Sequence, residues 1–263
     1  MTLVAIAFGV AIGLAVGTLG GGGSVLAVPV LVYVLDQSVP QATTTSLLVV
    51  AAGAVAGGLS HARAGRVCWR HAGSFTAAAL PGIAAGTLLG ESVDGPLLLG
   101  AFAAVMLAAA HATWRKADEP EAEGTWEGGG TCPPLRLPRD LIAGAAVGFV
   151  TGLFGVGGGF LIVPTLAIAL AFTMRTAVGT SLAIITGTSL IGLGAHLLAG
   201  REMDAGVTVA MTLACVTGAL AGVRLAGHVP QRSLARSFAV LVVAVAAYLA
   251  LSATFLGGPP GTS

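Results

Sequence analysis

One glycine-rich element occurs twice in this chain. Gly17 to Leu31 reads GTLGGGGSVLAVPVL, and Gly152 to Leu166 reads GLFGVGGGFLIVPTL. Pro29 and Pro164 set an offset of 135 (164 minus 29), and that offset runs without a gap from Gly9/Gly144 to Arg66/Arg201. Gly20/Gly155, Gly22/Gly157, Gly23/Gly158, Thr45/Thr180, Ser46/Ser181, Leu47/Leu182, His61/His196 and Gly65/Gly200 are identical across it. The chain is therefore two copies of one unit, and whatever it folds into must use that unit twice.

The medium follows from composition. With 56% hydrophobic residues, 9% charged and a mean hydropathy of +0.94, the chain lies far below the roughly one-quarter charged content of globular domains. This is the composition of an all-α polytopic membrane protein. A net charge of +1 gives no basic field for nucleic acid. The three cysteines, Cys68, Cys132 and Cys215, are widely spaced, which argues against a metal site or a disulfide framework and makes Cys68 and Cys215 packing residues. The first apolar run lacks a basic n-region and a small-residue cleavage site, and it matches the internal stretch from Ala143. It is expected to stay in the mature protein.

Apolar stretches fall at about 2–19, 25–35, 42–60, 72–90 and 96–113, then again at about 141–154, 160–172, 176–198, 205–227 and 234–256. The last three of each set are long enough for a bilayer core of about 30 Å. Each of the first two in the second copy would reach only about 20 Å, so the pair reads as a re-entrant helical hairpin. The expected units are residues 1–113 and 139–263, joined by a flexible linker at 114–138 that is acidic and rich in Gly and Pro. With the linker in the cytoplasm and three crossings per copy, eleven of the twelve Lys and Arg fall inside and Arg201 alone falls outside. That bias predicts inverted-topology repeats, each a short re-entrant hairpin plus three transmembrane helices, with both termini outside. Secondary transporters recur in this design, with the site near the bilayer midplane.

The candidate site residues are Gly20, Gly21, Gly22, Gly23 and Ser24 in the first copy and Gly155, Gly157, Gly158 and Gly159 in the second. Free backbone N–H groups at a helix start attract anions, and irregular backbone at membrane depth must line a cavity or be buried in protein. The alternative, glycines that only permit a tight turn and close packing, stays open. Thr45, Ser46, Thr180 and Ser181 could donate to substrate oxygens, or back-bond to their own helices. His61 and His196 are candidates for a proton or gating role, against the plainer reading of interfacial residues. Gly82/Gly86 and Gly218/Gly222 read as helix-packing pairs. No intramembrane acid is evident, and HExxH, GxSxG and paired carboxylates are missing. Enzymatic chemistry, metals and cofactors are not expected.

The doubled G-x-G-G-G/S-x-L-x-V-P element at Gly20–Pro29 and Gly155–Pro164, followed by A-x-x-T-S-L at Ala42–Leu47 and Ala177–Leu182, resembles the TauE/SafE (TSUP) family of membrane permeases over nearly the whole chain. The resemblance implies transport of sulfite, sulfonates or related anions, and abundant Ala, Gly and Arg with Lys116 as the single lysine point to a GC-rich bacterial source, hence a bacterial cytoplasmic membrane. The expected function is a secondary transporter that moves such an oxyanion by alternating access, with export the favoured direction. An anion channel or a non-transporting scaffold are the alternatives. Expected partners are the small anion, the lipid bilayer and, as an open option, a second copy of the chain. The copies depart from each other at GGGGS against GVGGG and at TTTSL against VGTSL.

Overall fold

The computed structural model describes residues 2–90, 92, 95–118, 132, 134–154, 159–198, 200 and 203–255. Among these no strand occurs. The first copy contributes α1 (Thr2–Leu19), a 3-10 turn (Gly20–Gly23), α2 (Ser24–Pro29), a π-helical turn (Val30–Val34), α3 (Val39–Arg63), α4 (Trp69–Gly90) and α5 (Gly95–Asp118). The second contributes α6 (Leu137–Phe154), α7 (Gly159–Pro164), a π-helical turn (Thr165–Ala169), α8 (Met174–Leu198), α9 (Ala205–His228) and α10 (Gln231–Phe255). Six described stretches are long and apolar enough to cross a membrane. The molecule is an all-helical, multi-pass membrane protein.

The internal repeat survives folding residue by residue. Helices α3 and α8 begin and end at counterpart positions, and so do the two π-helical turns. After each π turn the chain reverses through a left-handed residue, Asp36 at φ 52° and Ala171 at φ 54°. Neither is glycine, so each carries a conformational cost that the surrounding packing must offset. After α3 and α8 the left-handed position is Gly65 and Gly200, at φ 68° and 69°.

The two copies interlock through small residues. Gly9, Gly13 and Gly17 of α1 lie on Met211, Cys215 and Ala219 of α9, while Gly144, Gly148 and Gly152 of α6 lie on Phe75, Ala79 and Ile83 of α4. A side chain at Gly13 would be driven into the Cys215 carbonyl, and one at Gly148 into that of Ala79. In lipid, where tails are as apolar as leucine, such close approach supplies the van der Waals contact that holds helices together. The expected packing role of Gly82/Gly86 and Gly218/Gly222 is met: they lie on Ala145 and Phe149 of α6 and on Val10 and Leu14 of α1.

The order of these contacts gives helix directions. Contacts advance together along α1 and α9, along α4 and α6, and along α3 and α9, where Thr45 meets Thr208 and Gly57 meets Val223. Along α8 and α4, Thr180 meets Cys68 and Gly187 meets Thr76. Along α3 and α8 they run in opposition: Leu47 lies against Gly192, and Gly57 against Leu182. So α1, α3 and α9 point one way, and α4, α6 and α8 the other. Because α1 and α3 share a direction, Gly20–Val34 must carry the chain back to the side from which α1 came.

Two expectations need adjusting. Helix α6 starts at Leu137, ahead of the expected 141, so the ascending arm of the second hairpin reaches about 27 Å while its return arm is short. Cys68 and Cys132 form a disulfide with Cα atoms 5.7 Å apart, contrary to the reading of Cys68 as a packing residue. Partners 64 residues apart in sequence meet only through the tertiary fold, and spacing rules do not see them. Cys215 does behave as a packing residue, buried with its sulfur against Gly53.

Candidate functional site

The two glycine elements converge at the interior. Gly20 takes φ 70°, a left-handed turn that glycine adopts at no steric cost, and it lets α1 break into the 3-10 turn. Gly20, Gly21, Gly22, Gly23 and Gly159 are all buried. Gly21 touches Gly159 backbone to backbone: a Cβ on Gly21 would collide with the Gly159 carbonyl. Ser24 and Gly159 are counterparts, and a Cβ on Gly159 would lie 2.6 Å from Ser24 Oγ. On the other side of the contact, a Cβ on Gly20 would lie 2.6 Å from Ser181 Oγ. Thus Gly20, Gly21, Ser24, Gly159 and Ser181 form one cluster, walled by Val163, Val178 and Ile185.

The other candidate glycines have different packing neighbours. Gly22 faces Phe238 and Leu241 of α10, and Gly23 faces Ile12 and Val16 of α1. Gly155, Gly157 and Gly158 lie outside the described residues. Each fifth helix lays a buried phenylalanine over a hairpin: Phe238 of α10 against Gly22, and Phe102 of α5 against Phe154 and Phe160, at ring distances of 4.9 and 5.6 Å. An outward-facing groove between α5 and α10, lined by Leu107, Trp114, Val240 and Val243 among others, contains none of the candidate residues.

The hydroxyls all have partners. Ser24 donates to the Gly21 carbonyl at 2.7 Å, Ser46 to that of Thr43 at 2.8 Å and Ser181 to that of Val178 at 2.8 Å. Thr45 Oγ1 meets Thr208 Oγ1 at 3.3 Å, and Thr180 Oγ1 accepts from the Cys68 N–H at 3.1 Å. Both threonines therefore tie one copy to the other. For a serine to donate to an anion, its hydroxyl must first rotate away from the helix carbonyl.

The two histidines differ. His196, half-buried, lies with Nδ1 2.9 Å from Thr44 Oγ1, and that hydroxyl also donates to the Pro40 carbonyl at 2.9 Å. His61 is 2% exposed, closed off from solvent although it lies in the last turn of α3. The counterpart of Thr44 is Gly179, which leaves His61 without a hydroxyl; the Gly17 carbonyl is near, but neither ring nitrogen makes a well-formed hydrogen bond. Divergence of TTTSL from VGTSL has this direct structural effect.

A buried acid also overturns the expectation of none. His71 Nδ1 lies 2.5 Å from Asp140 Oδ1, with the residues 3% and 0% exposed. Asp140 sits in the first turn of α6, where the helix dipole favours a carboxylate. From sequence, it lies beside Arg139 at the edge of an apolar run and looks like a loop residue. The signal that could have exposed it is the crossing of α4 on α6, announced by the glycine spacings on both helices.

Among known proteins, the profile of the sulfite exporter TauE/SafE family matches residues 5–249. A "Probable membrane transporter protein" of Xylella fastidiosa (strain 9a5c) is 36% identical over 253 residues, covering 94% of each chain. "Probable membrane transporter protein MJ0441" of Methanocaldococcus jannaschii is 28% identical over 207 residues, covering 73% of this chain and 72% of its own length. No solved structure matches. A profile match across nearly the full length, together with relatives that share its extent, makes this chain a member of the TauE/SafE family of membrane transporters.

Proposed function

We propose that this permease is a secondary transporter for a small oxyanion such as sulfite or an organosulfonate, working by alternating access in a bacterial cytoplasmic membrane. The observation that carries the proposal is the meeting of Gly20–Ser24 with Gly159 and Ser181 in the buried centre. Two helix starts rich in glycine approach there from opposite copies, and their amide dipoles suit an anion without a buried Lys or Arg. The opposed course of α3 and α8, with α1, α3 and α9 running against α4, α6 and α8, supports inverted repeats around this point. Direct contact of Gly21 with Gly159 fits a carrier that must separate its tips to admit substrate, and disfavours a standing pore.

Residues 1–113 and 139–263 would be the two repeats, with the 114–138 linker and the arginine-rich ends of the helices on the cytoplasmic side and both termini outside. Export follows from electrostatics: an anion leaving a negative interior gains about 2.3 kcal/mol per charge per 100 mV. The test is efflux of sulfite from proteoliposomes. A carrier saturates and exchanges labelled sulfite across the membrane, and Thr45→Val with Ser181→Ala lowers the rate. Flux that stays linear in sulfite would indicate a channel, and no flux of any sulfur oxyanion would leave the scaffold reading.

A further inference from the structure

The His71–Asp140 pair lies outside the glycine cluster. One carboxylate oxygen, Oδ1, meets the imidazole at 2.5 Å; the other, Oδ2, is buried with no hydrogen-bond partner. Phe172, at the end of the second hairpin's return arm, meets the His71 ring edge-on, at 5.1 Å and 86°. Helix α4 therefore touches the hairpin through His71, a turn beyond Cys68, whose N–H is bonded to Thr180.

Packing alone does not call for these residues. Gly82 and Gly218 set the register of α4 on α9, so the counterparts of His71, Asp140 and Phe172 are Val207, Ala5 and Gln37. Ala5 is 0% exposed and Val207 packs on the core, so the counterpart of the His71–Asp140 pair is apolar, although Gln37 beside it is a buried amide whose side-chain atoms make no hydrogen bond. A buried carboxylate with an unsatisfied oxygen costs energy that an apolar contact does not, and ionisable groups at membrane depth mark proton or ion paths as a rule. Among the described side chains, charged and titratable groups on the surrounding helices are Arg70 on α4, Arg139 on α6, Arg175 and His196 on α8, and His111 and Arg115 on α5. Arg70 and Arg139 are exposed, and Arg175 is bonded to the Val229 carbonyl at 3.5 Å.

We infer that His71 and Asp140 together form a proton-binding site, entered from the arginine-rich face, that links proton uptake to the seating of the second hairpin on α4. The pair acts as one titrating unit. It holds one proton and no net charge, or releases that proton to water and carries a single negative charge with Oδ2 exposed to no donor. The charged form favours separation of Phe172 and the hairpin from α4 so that water can reach the carboxylate. This extends the oxyanion-transport reading by naming a coupling ion for it.

The experiment has two arms. In the first, the purified protein in lipid, without substrate, gives infrared difference spectra between mildly alkaline and mildly acidic buffer. A carboxyl band that titrates in the wild type, vanishes in Asp140→Asn and shifts in His71→Gln is the expected result. Spectra unchanged by Asp140→Asn overturn the inference. Should that variant fail to fold, an unshifted band in His71→Gln does so. In the second arm, an imposed pH gradient accelerates sulfite flux in the wild type but not in Asp140→Asn, which keeps gradient-free exchange. Equal gradient responses refute the coupling. Absence of sulfite flux in every protein counts against the transport reading alone, because the infrared arm uses no substrate.

Discussion

Gly21→Ala separates a packed contact from a permissive glycine more sharply than any other change in the molecule. The added Cβ would sit 2.7 Å from the Gly159 Cα, with the Gly159 carbonyl carbon and oxygen nearer still. Carbon atoms rest at about 3.5–4.0 Å, and the Gly159 carbonyl carbon would lie only 2.0 Å from the new Cβ, so the hairpin tips must part by about 1.5 Å or more. All three obstructing atoms are backbone, and no side-chain rotation relieves them. Overpacking of this kind costs about 1–3 kcal/mol, and the rigidity of both partners places this case at the upper end. A 3 kcal/mol penalty is roughly a 150-fold shift against the state in which the tips touch. Two comparators calibrate it: Gly194→Ala meets nothing within 4 Å, while Gly22→Ala meets only side-chain atoms of Leu241 and Phe238 at 3.3 Å. Thermal unfolding in detergent and sulfite exchange in proteoliposomes should rank Gly21→Ala well below Gly22→Ala, with Gly194→Ala at or above wild type. If Gly21→Ala matched Gly194→Ala in both assays, the two tips would not meet as described, and the site built on their contact would fall.

Further outcomes follow from other contacts. Gly148→Val should destabilise the protein strongly in thermal unfolding, because even a Cβ there would lie 2.7 Å from the Ala79 Cα, whereas Gly58→Ala, 3.6 Å from Leu182 Cβ, should be nearly neutral. Thr44→Val removes the hydroxyl at 2.9 Å from His196 Nδ1; loss of that one hydrogen bond should cost about 0.5–1.5 kcal/mol in thermal unfolding, and a protein of unchanged stability would show that the bond contributes nothing to the fold. With Cys132 on the cytoplasmic side, a membrane-impermeant maleimide should not label it in intact reduced cells but should do so after lysis. Labelling from outside would reverse the proposed orientation and suit the disulfide to an oxidising compartment.

What the sequence disclosed was what repeats locally. The doubled element, the reversal after each hairpin and the packing glycines of α4 and α9 follow from spacing, and the structure has them at counterpart residues. Contacts between copies were invisible to that reasoning. Asp140 and His71 are 69 positions apart, and their pairing depends on which face of α6 meets α4. Cys68 and Cys132 escaped for the same reason. Within the site, adjacency in sequence did not disclose the packing: Gly22 and Gly23 follow Gly21, yet a Cβ on each would meet a different wall, α10 for Gly22 and α1 for Gly23. The hydroxyl candidates were correctly placed near helix starts, but their bonds to helix carbonyls and to the other copy depend on the assembled fold.

The crossing of Ser24 with Gly159 has an evolutionary consequence. Where counterpart positions of two copies lie against each other, identical side chains would compete for one space, so such a spot has room for a side chain from neither or for a compromise between both. Copies that differ at that spot escape the constraint: one hydroxymethyl group stands where sameness would demand two, and here Ser24 occupies the space that its counterpart Gly159 leaves open. Restoring sameness should therefore work in only one direction, with Ser24→Gly leaving a gap and Gly159→Ser forcing two groups into a volume built for one.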